Sequence, residues 1–222
     1  MVDMKRRRVD PIDMFSGYVD NRKENRHIPS RPVSETPAGE NGDHMNAITA
    51  TQHWLEHAVI GLNLCPFAKA VHLKQQIRWV ESPARDADGL LADLVHELRF
   101  LAAADPETVD TTLLIHPHAL KDFLDYNDFL DVADDAIEEM GLAGVVQVAS
   151  FHPDYQFEGT APDDVDNFSN RSPHPTLHLL REDSVDRAVA AFPEAANIYE
   201  RNIETLRRLG ADGWLKLMTR SD

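Results

Sequence analysis

The chain has 222 residues, of which 42% are hydrophobic and 27% charged, a composition that suits one globular domain with a hydrophobic core. Its 38 acidic residues outnumber its 22 basic ones, and a net charge of −16 would repel phosphate backbones, so we expect no nucleic-acid partner. A single cysteine excludes an internal disulfide and a metal cluster made of cysteines alone.

Neither a membrane segment nor an export signal is apparent in the sequence. No apolar run approaches the roughly 20 residues that span a bilayer. The basic start, "MKRRRVD", is not followed by the apolar stretch of a secretory signal. We therefore expect a cytoplasmic protein that makes no membrane contact.

The first 44 residues differ in character from the rest. They are polar, rich in Pro, Ser, Glu and Asn, and show no hydrophobic period. Such a composition cannot bury enough apolar surface to fold. The sequence predicts a disordered N-terminal extension over 1–44 and one α/β domain over 45–218.

Within that domain, hydrophobic periodicity predicts helices and strands that alternate along the chain. In chain order these are a helix over 46–61, a short helix over 66–73, a strand over 76–80, a helix capped by Asp86, a strand over 111–115, a helix over about 119–140 that Gly141 ends, strands over 144–151 and 176–181, a short helix capped by Asp183, and a helix that Pro193 opens and Gly210 ends.

This alternation predicts a single layered α/β domain, with a mixed or mostly parallel sheet of about four strands joined by right-handed crossovers. In such sheets, ligands collect beyond the carboxyl ends of the strands. His116 and His152 each follow a predicted strand directly, and each is followed by proline. We therefore expect a site at this edge of the sheet.

Cys65 allows two interpretations. Pro66 favours an extended Cys65 and a helix that begins immediately after it, and a thiol at a helix N-terminus has a lowered pKa. Alternatively, Cys65 is a small buried hydrophobe between Leu64 and Phe67, which is the commoner role of a lone cysteine. The absence of a second cysteine rules out a dithiol redox cycle within the chain.

The connection from Phe151 to Pro175, "FHPDYQFEGTAPDDVDNFSNRSPHP", is the strongest indication of a site. Connections longer than about 15 residues are usually functional or disordered, and the aromatic residues in this one can anchor it to the domain. Arg171, beside Asn170 and Ser172, presents a guanidinium suited to a carboxylate or a phosphate. A structural ion pair from Arg171 to one of the many acids is the equal alternative.

A metal site is a rival interpretation of the same region. His116, His118, His152, Asp154, His174 and His178 supply enough imidazole and carboxylate for zinc or iron. Their spacings match no strong metal signature, however, and His178 within a strand is typical of a core histidine. We therefore predict no cofactor and keep a metal ion as an alternative.

Four segments in order, "GLNLCPFA", "TTLLI.P..L.DF.DYNDFL", "QVASFHPDYQFEGT" and "DDVDNFSNRSPHPTLHLLRED", make residues 46–215 resemble a mostly bacterial family classified only as a domain of unknown function. The resemblance implies no reaction. Its motif positions imply that Cys65, His152 and Asn170–Arg171 lie in one site. They also include Tyr155, Asp164, Asn167, Ser172 and His178.

The leading hypothesis is a small enzyme that acts on a small polar or anionic metabolite. Cys65 is the candidate nucleophile or redox-sensitive thiol, His152 the general acid–base, and Asp154 or Asp164 the carboxylate that orients it. The candidate substrate-binding residues are Tyr155, Asn167, Asn170, Arg171, Ser172 and His178. The reaction class stays open.

Two alternatives come from other classes of protein. In a non-catalytic adaptor, Tyr155 and Phe157 would project from the 151–175 loop towards a protein partner. A metal-dependent hydrolase would instead need a cluster of metal ligands.

Overall fold

The computed structural model of the chain describes residues 46–192 and 197–219. The predicted extension over 1–44 and the predicted helix start at Pro193 lie outside these residues. The helices and strands, in chain order, are α1 Ala47–Trp54, a π-helical segment Leu55–Ile60, α2 Ala68–Leu73, β1 Ile77–Glu81, α3 Ala87–Ala103, β2 Thr111–Ile115, α4 Phe123–Glu139, β3 Val146–Phe151, a 3₁₀ helix Val165–Asn170, β4 Thr176–Arg181, α5 Glu182–Ala191 and α6 Ile198–Thr219.

The four strands form one mixed sheet in the order β1-β2-β4-β3. β1 and β2 are parallel, whereas β4 runs antiparallel to both of its neighbours. A layered α/β domain with a four-stranded mixed sheet is therefore confirmed. The antiparallel strand has a simple cause. No α-helix separates β3 from β4, and only the connection with the short 3₁₀ helix Val165–Asn170 joins them. The chain therefore turns back at the same edge and pairs Phe151 with Thr176.

Side chains alternate across the sheet, which gives it two distinct faces. The core face carries Leu114, Leu177 and Leu179, and helices α3 and α4 cover it with a dense apolar layer. The opposite face, which we call the cavity face, carries Thr111, Ala149, His178 and Leu180. The segments that precede β1 and follow β4 cover it.

Helix boundaries follow local capping. The Asp86 side chain accepts a 2.8 Å hydrogen bond from the Gly89 amide and caps α3, as predicted. Helix α4 begins at Phe123, later than expected, because Leu120 has a φ of 51° and Asp122 is the cap. Gly141, with a φ of 68°, follows the end of α4 as predicted.

One predicted boundary is wrong. Asp183 is not a cap, because α5 begins directly after β4 at Glu182 and Asp183 lies in its first turn. Gly210, with a φ of 68° and a ψ of 172°, does end a helical segment as predicted. A second segment, which was not predicted, follows it and completes α6 to Thr219.

The first predicted helix, 46–61, also changes form midway. After α1 the backbone widens into a π-helical segment, in which the Gly61 amide donates to the Glu56 carbonyl over five residues. This segment delivers the chain to Cys65. Single π turns of this kind are frequent at functional sites.

Candidate functional site

A cavity of about 620 Å³ lies on the cavity face of the sheet. Its floor is formed by β2, β3 and β4, and its walls by the Cys65–Lys74 segment, α5 and the end of the 3₁₀ helix. Fifteen of the 27 lining residues are apolar and twelve are polar or charged. Pockets for small organic molecules combine apolar walls with placed polar groups in this way. These polar residues are Cys65, Lys74, Gln76, Glu107, Asp110, Thr111, Ser169, Asn170, His178, Ser184, Arg187 and Asn202.

Cys65 is half-buried at the wall of this cavity. Asn202 of α6 donates a 3.0 Å hydrogen bond to the Leu64 carbonyl and so fixes the backbone beside Cys65. Helix α2 begins at Ala68, after Phe67, and is further from Cys65 than predicted.

The electrostatic surroundings of Cys65 oppose the predicted activation of its thiol. Burial raises the pKa of Cys65 more than the backbone amides of Phe67 and Ala68 lower it. The expectation of a lowered thiol pKa is therefore wrong in direction. The thiol of the free protein is neutral, as the interpretation of Cys65 as a buried hydrophobe implies.

His178 stands at the floor of the cavity, in the middle of β4. Its Nε2 lies 2.7 Å from the Thr111 hydroxyl on β2. Its register neighbour on β3 is Ala149, whose small side chain leaves room above the imidazole. Burial lowers the pKa of His178 to about 4, so the ring is neutral at physiological pH.

Asn170 reaches the same cavity from the end of the 3₁₀ helix. Its side-chain amide donates to the Ser150 carbonyl at 3.3 Å and accepts from the Ser169 hydroxyl at 3.1 Å. These bonds hold a nearly buried side chain in one orientation. Cys65, Asn170 and His178, three of the predicted site residues, thus line one cavity.

His152 does not line that cavity, and its ring is fully buried. Its Nδ1 accepts a 3.0 Å hydrogen bond from the backbone amide of Asp154, and its Nε2 lies 3.3 Å from the Leu120 carbonyl. Because both nitrogens bond to the backbone, the ring fixes two loops and has no nitrogen left for a substrate. Burial lowers the pKa of His152, although the Leu120 carbonyl opposes this shift.

The carboxylates that were predicted to orient the His152 ring are not placed to do so. Asp154 is exposed, and it contacts His152 through its amide, not its side chain. Asp164 is half-buried at the start of the 3₁₀ helix, where its carbonyl accepts from the Asn167 amide at 3.2 Å. Neither carboxylate makes a hydrogen bond to the His152 ring.

The edge of the sheet beyond His116 and His152 is filled by Tyr126, which the sequence analysis missed. Its ring lies 5.7 Å from that of His116 and 5.1 Å from that of His152. The Tyr126 hydroxyl donates to the Thr176 carbonyl at 2.9 Å and accepts from the Phe151 amide at 3.1 Å. The two histidines do reach the same edge, as predicted, but a packed aromatic cluster occupies it.

The side chain of Asn167 makes its hydrogen bonds within the loop. Its side-chain oxygen accepts from the Phe157 amide at 2.9 Å and from the Thr160 hydroxyl at 2.7 Å, and its amide donates to the Ala161 carbonyl at 2.8 Å. Since the side chain is fully buried, it sets the shape of the loop and does not face a ligand.

Arg171 and Ser172 line a different cavity, of about 430 Å³. The Arg171 guanidinium donates to the carbonyls of Tyr155 at 3.1 Å and Pro162 at 2.5 Å. The Ser172 hydroxyl donates to the His174 carbonyl at 2.6 Å. Arg171 therefore holds the loop backbone in place. Cys65, His152 and Arg171 do not share one site.

Tyr155 and Phe157 are each 7% exposed. Their ring centroids are 5.0 Å apart, and Tyr155 also packs on Phe123 at 5.3 Å. The adaptor hypothesis required these two rings to project from the surface, and they do not.

The candidate metal ligands remain dispersed. Over residues 46–192 and 197–219, no three or more His, Cys, Asp or Glu side chains are grouped so that they could hold a metal ion. In the same part of the chain, no helix is both long and apolar enough to cross a lipid bilayer.

Several lining residues had no signal in the sequence. Thr111 has the character of an ordinary strand residue, Ser184 and Arg187 lie in a helix, and Phe192 follows it. Thr111 lies at the floor of the cavity, and the other three residues belong to it because α5 folds back over the sheet after β4. Tyr126 was detectable, because it lies among the apolar positions of α4.

The fold and the cavity define the class of this protein: a mixed α/β domain with a ligand-sized cavity between its sheet and its helices. Residues 46–216 match the model of a family described as "Protein of unknown function (DUF1415)", and the chain belongs to that family. The comparisons found no match among curated proteins or among solved structures.

Proposed function

We propose that this protein is a small enzyme that binds a small organic molecule in the 620 Å³ cavity. The observation that carries the proposal is the convergence of Cys65, Asn170 and His178, from three separate parts of the chain, on one cavity. Ligand pockets usually have volumes of about 300–1,000 Å³ and few polar groups among apolar walls.

The lining also bears on the kind of molecule. Leu64, Phe67, Phe151, Leu180 and Phe192 present apolar surface, so an apolar portion of the substrate would be stabilised by burial against them. Arg171 lies outside the cavity. Binding of an anionic substrate group by Arg171, which the sequence predicted, is therefore not part of this proposal.

Cys65 is the proposed reacting group, since a thiol is a better nucleophile than the serine and threonine hydroxyls beside it. Burial keeps the thiol neutral in the free protein. Catalytic use of Cys65 therefore requires transfer of its proton to solvent or to a basic group of the bound substrate, because the thiolate is the reactive form.

The neutral fluorophore N-phenyl-1-naphthylamine, whose emission rises in apolar surroundings, tests the cavity as a binding site. We expect saturable binding at one site per chain. Ala188→Trp should abolish it, because Ala188 lines the cavity. The matched control is Ala190→Trp on the same helix, where the side chain is exposed and binding should persist.

Iodoacetamide alkylation gives a second measurement at the same site. The chain has one cysteine, so each carbamidomethyl group found by intact mass reports on Cys65. Bound fluorophore should slow this alkylation. Absence of saturable binding, or equal binding by both tryptophan variants while both remain folded, would refute the proposal.

A further inference from the structure

The hydrogen bonds at the floor of the cavity determine which nitrogen of His178 carries the proton. The Thr111 hydroxyl lies 2.6 Å from the Leu179 carbonyl and 2.7 Å from His178 Nε2. A hydroxyl has one proton to donate. A carbonyl has none, so a 2.6 Å contact between two oxygens is favourable only if the Thr111 proton lies between them.

The Thr111 oxygen is then an acceptor towards His178, and the proton of that second bond must come from Nε2. In a neutral imidazole only one nitrogen carries a proton. His178 Nδ1 is therefore left with a lone pair. Among the described residues it has no hydrogen-bond partner, and it is not one of the fully buried unpartnered atoms. It follows that Nδ1 faces the cavity as an open acceptor.

The other polar groups deep in the cavity carry no charge. Asn170 and Asn202 are amides that already bond to the backbone, and burial keeps Cys65 and His178 neutral. The charged residues of the lining, by contrast, lie towards solvent. Lys74, Glu107 and Arg187 are exposed, and half-buried Asp110 accepts a hydrogen bond from Ser184 at 2.5 Å.

We propose that the molecule bound in this cavity is uncharged at the floor, has an apolar body, and donates an O–H or N–H hydrogen bond to Nδ1 of His178. This inference rests on the proposed function and names its substrate class: alcohols, phenols and amides. A carboxylate or phosphate group at the same place would set an anion against a lone pair in an apolar site, which costs free energy.

The arrangement of His178 and Thr111 can be tested without any ligand. In long-range ¹H–¹⁵N spectra of ¹⁵N-histidine-labelled protein, His178 should show a protonated Nε2 and an unprotonated Nδ1 at about pH 7, and the same at about pH 5. Its signals are assigned by their loss in His178→Gln. Thr111→Ser, which keeps the hydroxyl, should preserve this pattern, and Thr111→Val should weaken it. A protonated Nδ1 in the unmodified protein would overturn the inference.

Three probes with the same ring system test the ligand class. These are 2-naphthol, which donates a hydrogen bond, 2-methoxynaphthalene, which does not, and the anion 2-naphthoate. We expect calorimetric titration to show 2-naphthol binding about fivefold more tightly than the methyl ether, the effect of one hydrogen bond, with 2-naphthoate weaker than both. In His178→Phe the preference for 2-naphthol should disappear.

The outcomes separate the two proposals. If the three probes bind with equal affinity, or if 2-naphthoate binds best, the inferred substrate class is wrong while the cavity remains a binding site. If none of them binds and N-phenyl-1-naphthylamine does not bind either, the proposed function fails and this inference fails with it. Should His178→Phe not fold, Thr111→Val replaces it, and the preference for 2-naphthol should then be smaller than in the unmodified protein.

Discussion

At the scale of single residues, several buried polar side chains in this protein bond to backbone groups of distant segments. Arg181, at the end of β4, is the clearest case. Its guanidinium donates to the carbonyls of Leu101, Ala104 and Val109, at distances of 2.5, 2.7 and 3.2 Å. It thereby caps the carboxyl end of α3, where helix carbonyls lack partners. A positive charge is also favourable there.

Replacement of Arg181 by methionine tests this role. Arg181→Met keeps much of the apolar volume but leaves three carbonyls without their donor, so we expect the free energy of unfolding to fall by about 2–4 kcal/mol. Urea denaturation measures the difference. Arg208→Met, at an exposed position of α6, should change stability little. Equal losses in both variants would contradict the role given to Arg181.

At the scale of elements, the connection from Phe151 to Pro175 shows how a structural segment can resemble an active site. Asn167 bonds inside it, Arg171 clamps it, and His152 joins it to the loop before α4. Asp166 makes a two-point ion pair with Arg207 of α6, at 2.9 and 2.6 Å. The polar residues are numerous because a long connection without strands must satisfy its backbone with side chains. Of this connection, Phe151, Ser169 and Asn170 line the 620 Å³ cavity.

Helix α6 contains an interruption at Gly210 whose backbone conformation depends on glycine. Gly210 combines a φ of 68° with a ψ of 172°, a region that residues with a β-carbon hardly populate. A β-carbon there would meet no atom within 4 Å, so any cost comes from the backbone conformation alone.

We expect Gly210→Ala to lower the free energy of unfolding by about 1–3 kcal/mol, which is the usual cost of such a conformation. Thermal and urea denaturation would measure it. The matched variant Asp212→Ala, two residues along the same helix and exposed, should be neutral. A Gly210→Ala protein as stable as the unmodified one would show that the interruption of α6 is not required.

At the scale of the whole molecule, the two faces of the sheet are built differently. The core face is covered by α3 and α4 and leaves its central leucines completely buried. The cavity face is covered by shorter segments that do not fill the space above Ala149 and His178. Dense packing on one side stabilises the fold, and this leaves the other side free to hold a ligand.

Two leucines on the same strand test this difference. Leu177, on the core face, is fully buried, so Leu177→Ala should cost about 3 kcal/mol through lost burial and a new cavity. Leu180 is half-buried and lines the existing cavity, so Leu180→Ala should cost about 1 kcal/mol. Urea denaturation of both variants gives the comparison, and a larger loss for Leu180→Ala would contradict the assignment of the two faces.

Much of the fold was predictable because the sequence patterns that indicate its helices and strands are local. The strand over 111–115, the strand over 176–181 and the cap at Asp86 were placed correctly, since strand burial and helix capping involve residues close together in the chain. The direction of β4 was not predicted. Helix–strand alternation favours parallel neighbours, and the sequence shows only indirectly that no α-helix lies between β3 and β4.

The candidate site was predicted in part, for the same physical reason. Cys65, Asn170 and His178 could be selected because their residue types are capable of chemistry. Which of the polar residues face a cavity depends on long-range contacts, and such contacts leave no local pattern. The bond between Thr111 and His178 joins residues 67 positions apart, and that between Asn202 and Leu64 joins residues 138 apart.

The α/β class, the four strands and most of the α-helices of this protein could therefore be predicted from sequence, because hydrophobic period and capping act within one or two turns. The tertiary structure decided that His152 and Arg171 bond to the backbone and that His178 lies at the floor of a cavity with Cys65 at its wall. His152 and Arg171 bond to the Leu120 and Tyr155 carbonyls, whereas α5 folds back over the sheet and encloses the space beside His178. The same kind of polar side chain is a structural link or a ligand contact according to what packs against it.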